Sequence, residues 1–326
     1  MTNFRDILCV VDIADECTAA LDRAVTLAEN NQANLTVVDV VDRVTAGIGM
    51  PEGGPISANL QSTMETRHAE ALETLIGPFR QHTPITTKIL SGTRFLEIIR
   101  EVLSGGHDLV IKTPEKLAWL DRLFGSDDMN LMRECPCPVW LMKPQAEKTY
   151  KRILAAVDVD DRYPPSELKS RHALNQTIFT KACSLALSDF AELHVVHVWQ
   201  AIGESVMRGA FMRTPEAEIT TYVAQERNRH ETNLNGFIRE ITGTLGKEAA
   251  EYIQPRAHLL KGSARQQIPS LAQQLEADVI VMGTVARTGI PGFIMGNTAE
   301  TILNQIDCSV LAIKPPGFET PVTTTD

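Results

Sequence analysis

The chain is written twice. Arg5-Asp6-Ile7-Leu8-Cys9-Val10-Val11-Asp12 is answered by Lys151-Arg152-Ile153-Leu154-Ala155-Ala156-Val157-Asp158. Ala33-Asn34-Leu35-Thr36-Val37-Val38-Asp39-Val40 is answered by Ala191-Glu192-Leu193-His194-Val195-Val196-His197-Val198. Leu90-Ser91-Gly92 matches Leu260-Lys261-Gly262, and His107-Asp108-Leu109-Val110 matches Ala277-Asp278-Val279-Ile280. Cys137-Pro138-Val139-Trp140-Leu141-Met142-Lys143-Pro144 returns as Cys308-Ser309-Val310-Leu311-Ala312-Ile313-Lys314-Pro315. The order never changes, but the spacing between partners widens along the chain. Two insertions in the second half explain the drift, one in its first helical region and one between Val198 and Gly262. A chain of 326 residues divides naturally into about two domains of ~150 residues, and the polar stretch Pro144 to Lys151 marks the boundary.

Within each half, short Val/Ile/Leu-rich runs alternate with helical patterns. Ala19 to Asn30, Thr63 to Ile76 and Phe95 to Leu103 read as amphipathic helices in the first half. Leu174 to Leu187, Ile219 to Ile241 and Ala264 to Leu275 do so in the second. Continuous apolar strands separated by helices specify a parallel sheet covered on both faces. Five strands and four helices alternate in each half. Such sheets bind ligands beyond the carboxyl ends of their strands, at the switch point. Asp12 and Asp158 end the first strand of each half, at that crevice, where each could bind a ligand or simply cap a turn.

The segment from Met282 to Lys314 bears most directly on function. An apolar run, Val279 to Met282, feeds a loop containing Gly283, Gly289, Gly292 and Gly296, then a helix start at Gly296-Asn297-Thr298. Glycines let a backbone come close to a phosphate, and the N–H groups at a helix start face it. The same glycines could simply serve turns. A net charge of −10 argues against non-specific nucleic-acid binding. No apolar run reaches the ~18 residues of a membrane helix. The start of the chain carries no basic, apolar leader, so a cytoplasmic protein is expected.

The six cysteines are scattered, several in apolar runs, and read as buried small hydrophobes in a reducing compartment. Cys135-Pro136-Cys137 invites a zinc reading, but no second close pair supplies four ligands. His194 and His197 lie three apart on a strand and so point to opposite faces; His197 is expected to line the crevice. Asp160 and Asp161 could help hold Mg²⁺ or could be a solvated loop. Arg287 could reach a phosphate or sit on the surface. Met207, Phe211 and Met212, in the long insertion, could form a lid or ordinary packing. Neither a nucleophile elbow nor a phosphate-binding P-loop occurs.

These residues resemble the universal stress protein family, in its tandem form. Its nucleotide-binding members carry Gly-x2-Gly-x9-Gly-(Ser/Thr) after the fourth strand and an Asp ending the first. Here the second half reads Gly283-x2-Ala286-x9-Gly296-Asn297-Thr298, with Asp158 in place. The resemblance covers nearly the whole chain. It implies two tandem Rossmann-like (HUP-type) α/β sandwich domains, 1–146 and 147–318, with a flexible tail at 319–326. Each would have a five-stranded parallel sheet of order 3-2-1-4-5. It also implies a site for ATP or another adenine nucleotide, with Mg²⁺ as a possible companion, built by Asp158, Val198, Met282, Gly283, Ala286, Gly296, Asn297 and Thr298. Ala286 replaces a glycine, disfavoured where the backbone needs φ > 0. Asn297 replaces Ser/Thr, though its amide still caps a helix.

The first half departs further. Lys112-Thr113-Pro114-Glu115-Lys116 stands where the glycines belong, and Gly125-Ser126 is followed by Asp127 and Asp128. A degenerate first site is expected. Family members dimerise through their last strands, so Val139 to Met142 and Val310 to Ile313 are expected to pair within one chain, giving a monomeric pseudo-dimer. The implied role is a stress-response protein that senses a nucleotide or binds unidentified protein partners, rather than an enzyme of rapid turnover. The alternatives are a scaffold holding an apolar metabolite or lipid fragment, and a slow Mg²⁺-dependent ATPase.

Overall fold

The computed structural model describes residues 4–14, 18–44, 55–115, 126–144, 146, 149–209, 214–284 and 295–324. The first half runs β1 (Asp6–Val11), α1 (Ala19–Asn31), β2 (Asn34–Val41), α2 (Pro55–Ile76), β3 (Ile85–Ser91), α3 (Arg94–Gly105), β4 (Leu109–Lys112), α4 (Ser126–Glu134) and β5 (Val139–Leu141). The second runs β6 (Arg152–Ala156), α5 (Pro165–Asp189), β7 (Glu192–Trp199), α6 (Glu204–Met207), α7 (Glu216–Thr244), α8 (Lys247–Tyr252), β8 (Arg256–Lys261), α9 (Ala264–Gln274), β9 (Val279–Gly283), α10 (Asn297–Leu303) and β10 (Ser309–Ile313).

One sheet holds all ten of these strands, in the order β3-β2-β1-β4-β5-β10-β9-β6-β7-β8. Each half therefore has the 3-2-1-4-5 order and parallel pairing. The halves meet where β10 runs antiparallel to β5, with Val310 opposite Leu141 and Ala312 opposite Val139. Two strands that would otherwise be sheet edges are thereby satisfied.

Side chains alternate across this sheet as a strand requires. Ile7, Cys9 and Val11 of β1 enter the core beneath α1 and α5, with Trp140, Ile153, Phe179 and Leu311. Leu8 and Val10 enter the opposite core, with Ile98, Leu131, Val139, Ile280 and Ile302. Both cores draw on both halves. The apolar runs are continuous because both faces are buried.

The turn after β3 and its counterpart after β8 show why the Leu-x-Gly triplet repeats. Gly92 and Gly262 take φ of +148° and +141°, and a Cβ would lie 2.6 Å from the Glu97 carboxylate or 3.1 Å from the Gln267 amide. Only glycine adopts that backbone without strain.

The first insertion is visible as helix length: α5 has 25 residues where α1 has 13. The periodicity places its start near Leu174, but the helix begins at Pro165, whose ring presets φ for a first turn. Glu167, Lys169 and Arg171 in the added turns are polar and carry no apolar stripe to read. The second insertion supplies α6 and α8 and a 29-residue α7. At the carboxyl end of the chain, Phe318 is buried and Val322 packs on the second core. Among the described residues no helix is long and apolar enough to cross a membrane.

A candidate nucleotide crevice in the second half

At the carboxyl ends of β6, β7 and β9 opens a crevice of about 660 Å³. It is lined by seven residues singled out from the sequence: Asp158, Val198, Met282, Gly283, Gly296, Asn297 and Thr298. The eighth, Ala286, lies outside the described residues with Arg287, Gly289 and Gly292, as do Phe211 and Met212. Ala156, Val157, Ile178, Val198, Met282 and Ile302 give the crevice an apolar floor. Asn175, Ser263, Arg265, Thr284 and Thr298 give it a polar wall.

Asp158 is held from several sides. Its Oδ2 accepts from the Tyr163 hydroxyl at 2.8 Å and from Arg171 at 3.0 Å. The Arg171 guanidinium also lies 3.5 Å from the centre of the Tyr163 ring. Asn175 clamps the Asp158 backbone, accepting from its N–H at 3.1 Å and donating to its carbonyl at 2.6 Å. Among the described residues, Asp158 Oδ1 accepts the Asp160 N–H at 3.3 Å. A carboxylate offers about four acceptor positions, so Oδ1 retains room for a ligand hydroxyl. Burial, then the Asp158 charge, pushes the Tyr163 phenol above its ordinary range, which keeps it a donor. Tyr163 and Arg171 were not legible as site residues, since both belong to the insertion before and within the extended α5.

Gly283 ends β9 without a side chain for a visible reason. A Cβ there would lie 2.9 Å from Leu174 Cδ2. At the base of the loop, the Gly296 N–H donates to the Thr284 carbonyl at 3.1 Å.

Asp160 and Asp161, considered for Mg²⁺, are both ion-paired with Arg229, Asp160 at 3.0 Å. Among the described residues no cluster of three or more His, Cys, Asp or Glu is arranged to hold a metal ion. The two histidines of β7 face opposite ways as expected. His194 Nδ1 lies 2.9 Å from His258 Nε2, whereas His197 lines the crevice and meets His230.

That second pair has a defined proton order. Arg229 can only donate, so His230 Nε2, 2.9 Å away, accepts. His230 Nδ1–H then donates to His197 Nε2 at 2.9 Å, and His197 Nδ1–H donates to the Val157 carbonyl at 3.3 Å. Trp199 stacks on His230 with centroids 5.6 Å apart. Every ring nitrogen is satisfied with both imidazoles neutral. A proton added to either would set two donors against each other.

Burial is the leading cause that lowers His194, His197, His230 and His258 from the ordinary 6.5. The unfolded chain therefore takes up these protons first as pH falls. Stability from the neutral rings is complete above 6.5 and is lost as pH falls from there through the lower folded values. The denaturation midpoint is expected to drop between pH 7 and about pH 5.5. Equal midpoints across that window would show that the rings stay matched in both states.

In the first half the corresponding end of β4 carries a buried ion pair. Lys112 and Asp128 form it, and the other Asp128 oxygen accepts the Glu115 N–H at 2.9 Å. Asp12 is paired with Arg94 at 3.3 Å and caps its own turn through the Ala14 N–H.

The chain is similar to universal stress protein E of Escherichia coli K12, at 30% identity over 99% of this chain and 98% of that protein. The counterpart in Photorhabdus laumondii is 27% identical over 99% of this chain and 98% of its own length. Among solved structures, a putative universal stress protein from Pseudomonas aeruginosa UCBPP-PA14 superposes with a TM-score of 0.70 at 27% identity, covering 96% of this chain and 94% of that one. The family model described as the universal stress protein family matches residues 3–143 and again 149–314. With both halves matched and the ten-stranded sheet they build, the chain belongs to the universal stress protein family, as a tandem member.

Proposed function

We propose that the second half, 147–318, binds ATP or another adenine nucleotide and that the protein acts as a stress-response sensor rather than by turnover. The observation that carries this reading is the convergence of seven separated residues, from Asp158 to Thr298, on one crevice. The apolar floor suits a purine. Asp158 Oδ1 suits a ribose hydroxyl, and Arg265 with the Thr298 hydroxyl suits phosphate. The first half, 1–146, is the structural partner, its corresponding position taken by the Lys112–Asp128 pair.

Calorimetric titration of ATP·Mg²⁺ into nucleotide-free protein tests this, with Asp158→Ala and Gly283→Val alongside. One saturable site per chain is expected. Loss of a charge-assisted hydrogen bond costs about 1.5–3 kcal/mol, so Asp158→Ala is expected to weaken binding roughly 10–100-fold. Gly283→Val, whose side chain displaces the Leu174 methyl and narrows the crevice, is expected to weaken it further. An absence of heat up to millimolar ATP would overturn the reading and favour an apolar ligand, which Ile202, exposed at the crevice rim, would also suit.

We further propose that the chain is a monomer in solution, because β5 and β10 satisfy each other. Sedimentation at micromolar concentration is expected to return one chain's mass, 35.9 kDa; twice that mass would contradict it.

A further inference from the structure

We propose that Cys135 and Cys137, which flank one proline between α4 and β5, are a redox-active dithiol that a hydroperoxide closes to a disulfide. Their sulfurs lie 3.6 Å apart, in hydrogen-bond contact in which either can donate. The other described cysteines, Cys9, Cys183 and Cys308, are single buried thiols. The pair also has a buried cation beside it. Lys314, just after β10, reaches across to the first half, where its ammonium binds the Met132 carbonyl and the Arg133 carbonyl at 3.1 Å, while also donating to Thr284 Oγ1 of its own half at 3.0 Å. Those two carbonyls close the helix on which Cys135 follows.

The chemistry of the pair follows from this setting. Burial raises the Cys135 thiol, but the Cys137 hydrogen bond and the Lys314 charge outweigh it and hold Cys135 below an ordinary thiol. At Cys9, Cys183 and Cys308 burial wins instead and pushes each up to about 12, at Cys308 even against the Lys143 charge. Cys137 keeps 8% of its surface exposed where Cys135 keeps none, so Cys137 is the sulfur that a small peroxide meets. The Cys135 contact and burial hold the Cys137 thiol well above an ordinary one, so Cys135 first loses its proton to solvent. The Cys137 proton then passes to the Cys135 sulfur within the S–H···S contact; the proton lost to solvent is the one the leaving hydroxide takes up. The Cys137 thiolate then attacks one peroxide oxygen: an S–O bond forms, the O–O bond breaks, and hydroxide leaves and is protonated to water. Cys135 attacks the resulting sulfenic sulfur. An S–S bond forms, the S–O bond breaks, and a second water leaves. Two thiols are oxidised by two electrons and one peroxide is reduced to two waters.

The sequence contains its own control. Cys308 stands at the position that matches Cys137 in the second half, before Ser309-Val310 as Cys137 stands before Pro138-Val139, with Ile306 where the second thiol, Cys135, would be needed.

The test uses the reduced full-length chain, exposed to hydrogen peroxide in native buffer, quenched with catalase, then unfolded, alkylated and mapped by mass spectrometry. The peptide holding Cys135 and Cys137 is expected to lose two hydrogens, take no alkyl label, and regain both labels after dithiothreitol. Cys137 is expected to be consumed at least about tenfold faster than Cys308. In Cys135→Ser, which removes the resolving sulfur, Cys137 is expected to be trapped by dimedone as a sulfenic acid. Full alkylation of both cysteines after peroxide, or equal consumption of Cys137 and Cys308, overturns the proposal.

Discussion

Asp189→Ala is expected to lower the unfolding free energy by about 3–5 kcal/mol, because it strands a buried guanidinium. Asp189 ends α5 in the second half, and its partner Arg23 belongs to α1 in the first. The pair is bidentate at 2.9 and 2.8 Å, and the Tyr150 N–H donates to the same carboxylate at 2.7 Å. The two side chains are 6% and 3% exposed. The Arg23 guanidinium also stacks 4.5 Å from the Tyr150 ring centre and 5.4 Å from that of Trp140, and Trp140 donates to the Tyr150 hydroxyl at 3.2 Å. These groups pin the chain where it crosses from one half to the other. Truncation thus removes the anion, leaves the Tyr150 N–H without its acceptor and leaves the cation with π contacts alone. Urea denaturation followed by tryptophan fluorescence checks the prediction, since Trp140 sits in the cluster. A midpoint within error of the unsubstituted chain would mean that water replaces the carboxylate without penalty. Two separate transitions would show, in addition, that the halves unfold independently once the pin is gone.

The fold was legible because the chain states it twice. An apolar run such as Val279-Ile280-Val281-Met282 is ambiguous by itself between strand and buried helix. Its match to Leu109-Val110-Ile111-Lys112 in the same order removes the ambiguity. The joining of Trp140 and Leu311 across β5 and β10 followed from the family resemblance, whose members pair their last strands, applied to two matching strands in one chain. The crevice was legible in the same way, through the place of Asp158 and Gly283 at strand ends. The groups that orient Asp158 were not. Arg171 and Tyr163 approach it only because α5 starts at Pro165, and polar helical turns leave no periodic trace. The His197–His230 contact joins a strand to a helix 33 positions away, and no spacing rule reaches that far. The dithiol was visible as a motif, but its lysine comes from the other half of the chain. Only the closed sheet brings Lys314 beside it.

Asp128→Ala is expected to cost about as much as the loss of Asp189, about 3–5 kcal/mol, and for a related reason. Lys112 is the last residue of β4 and Asp128 lies in the first turn of α4; their side chains are 4% and 0% exposed. In the second half the corresponding strand ends in Met282-Gly283, and the helix after the glycine loop carries Ala299, so that half has space where this one has an ion pair. The Asp128 carboxylate accepts a lysine ammonium and a backbone N–H, the two kinds of donor a phosphate group would require. A carboxylate of the chain itself thus stands where an anion would, and Pro114, which has no N–H, takes no part in holding it. Removing the carboxylate leaves the Lys112 ammonium buried without its counter-charge, and Asp128→Asn does the same at nearly constant volume. Lys112→Met combined with Asp128→Leu removes both charges, and because an apolar pair of similar size is often as stable as the buried ion pair it replaces, this double variant is expected to recover most of the loss. Denaturant titration of the unsubstituted chain, Lys112→Met, Asp128→Leu and the double variant closes the cycle. Additive losses in the double variant would mean that the two groups do not depend on each other.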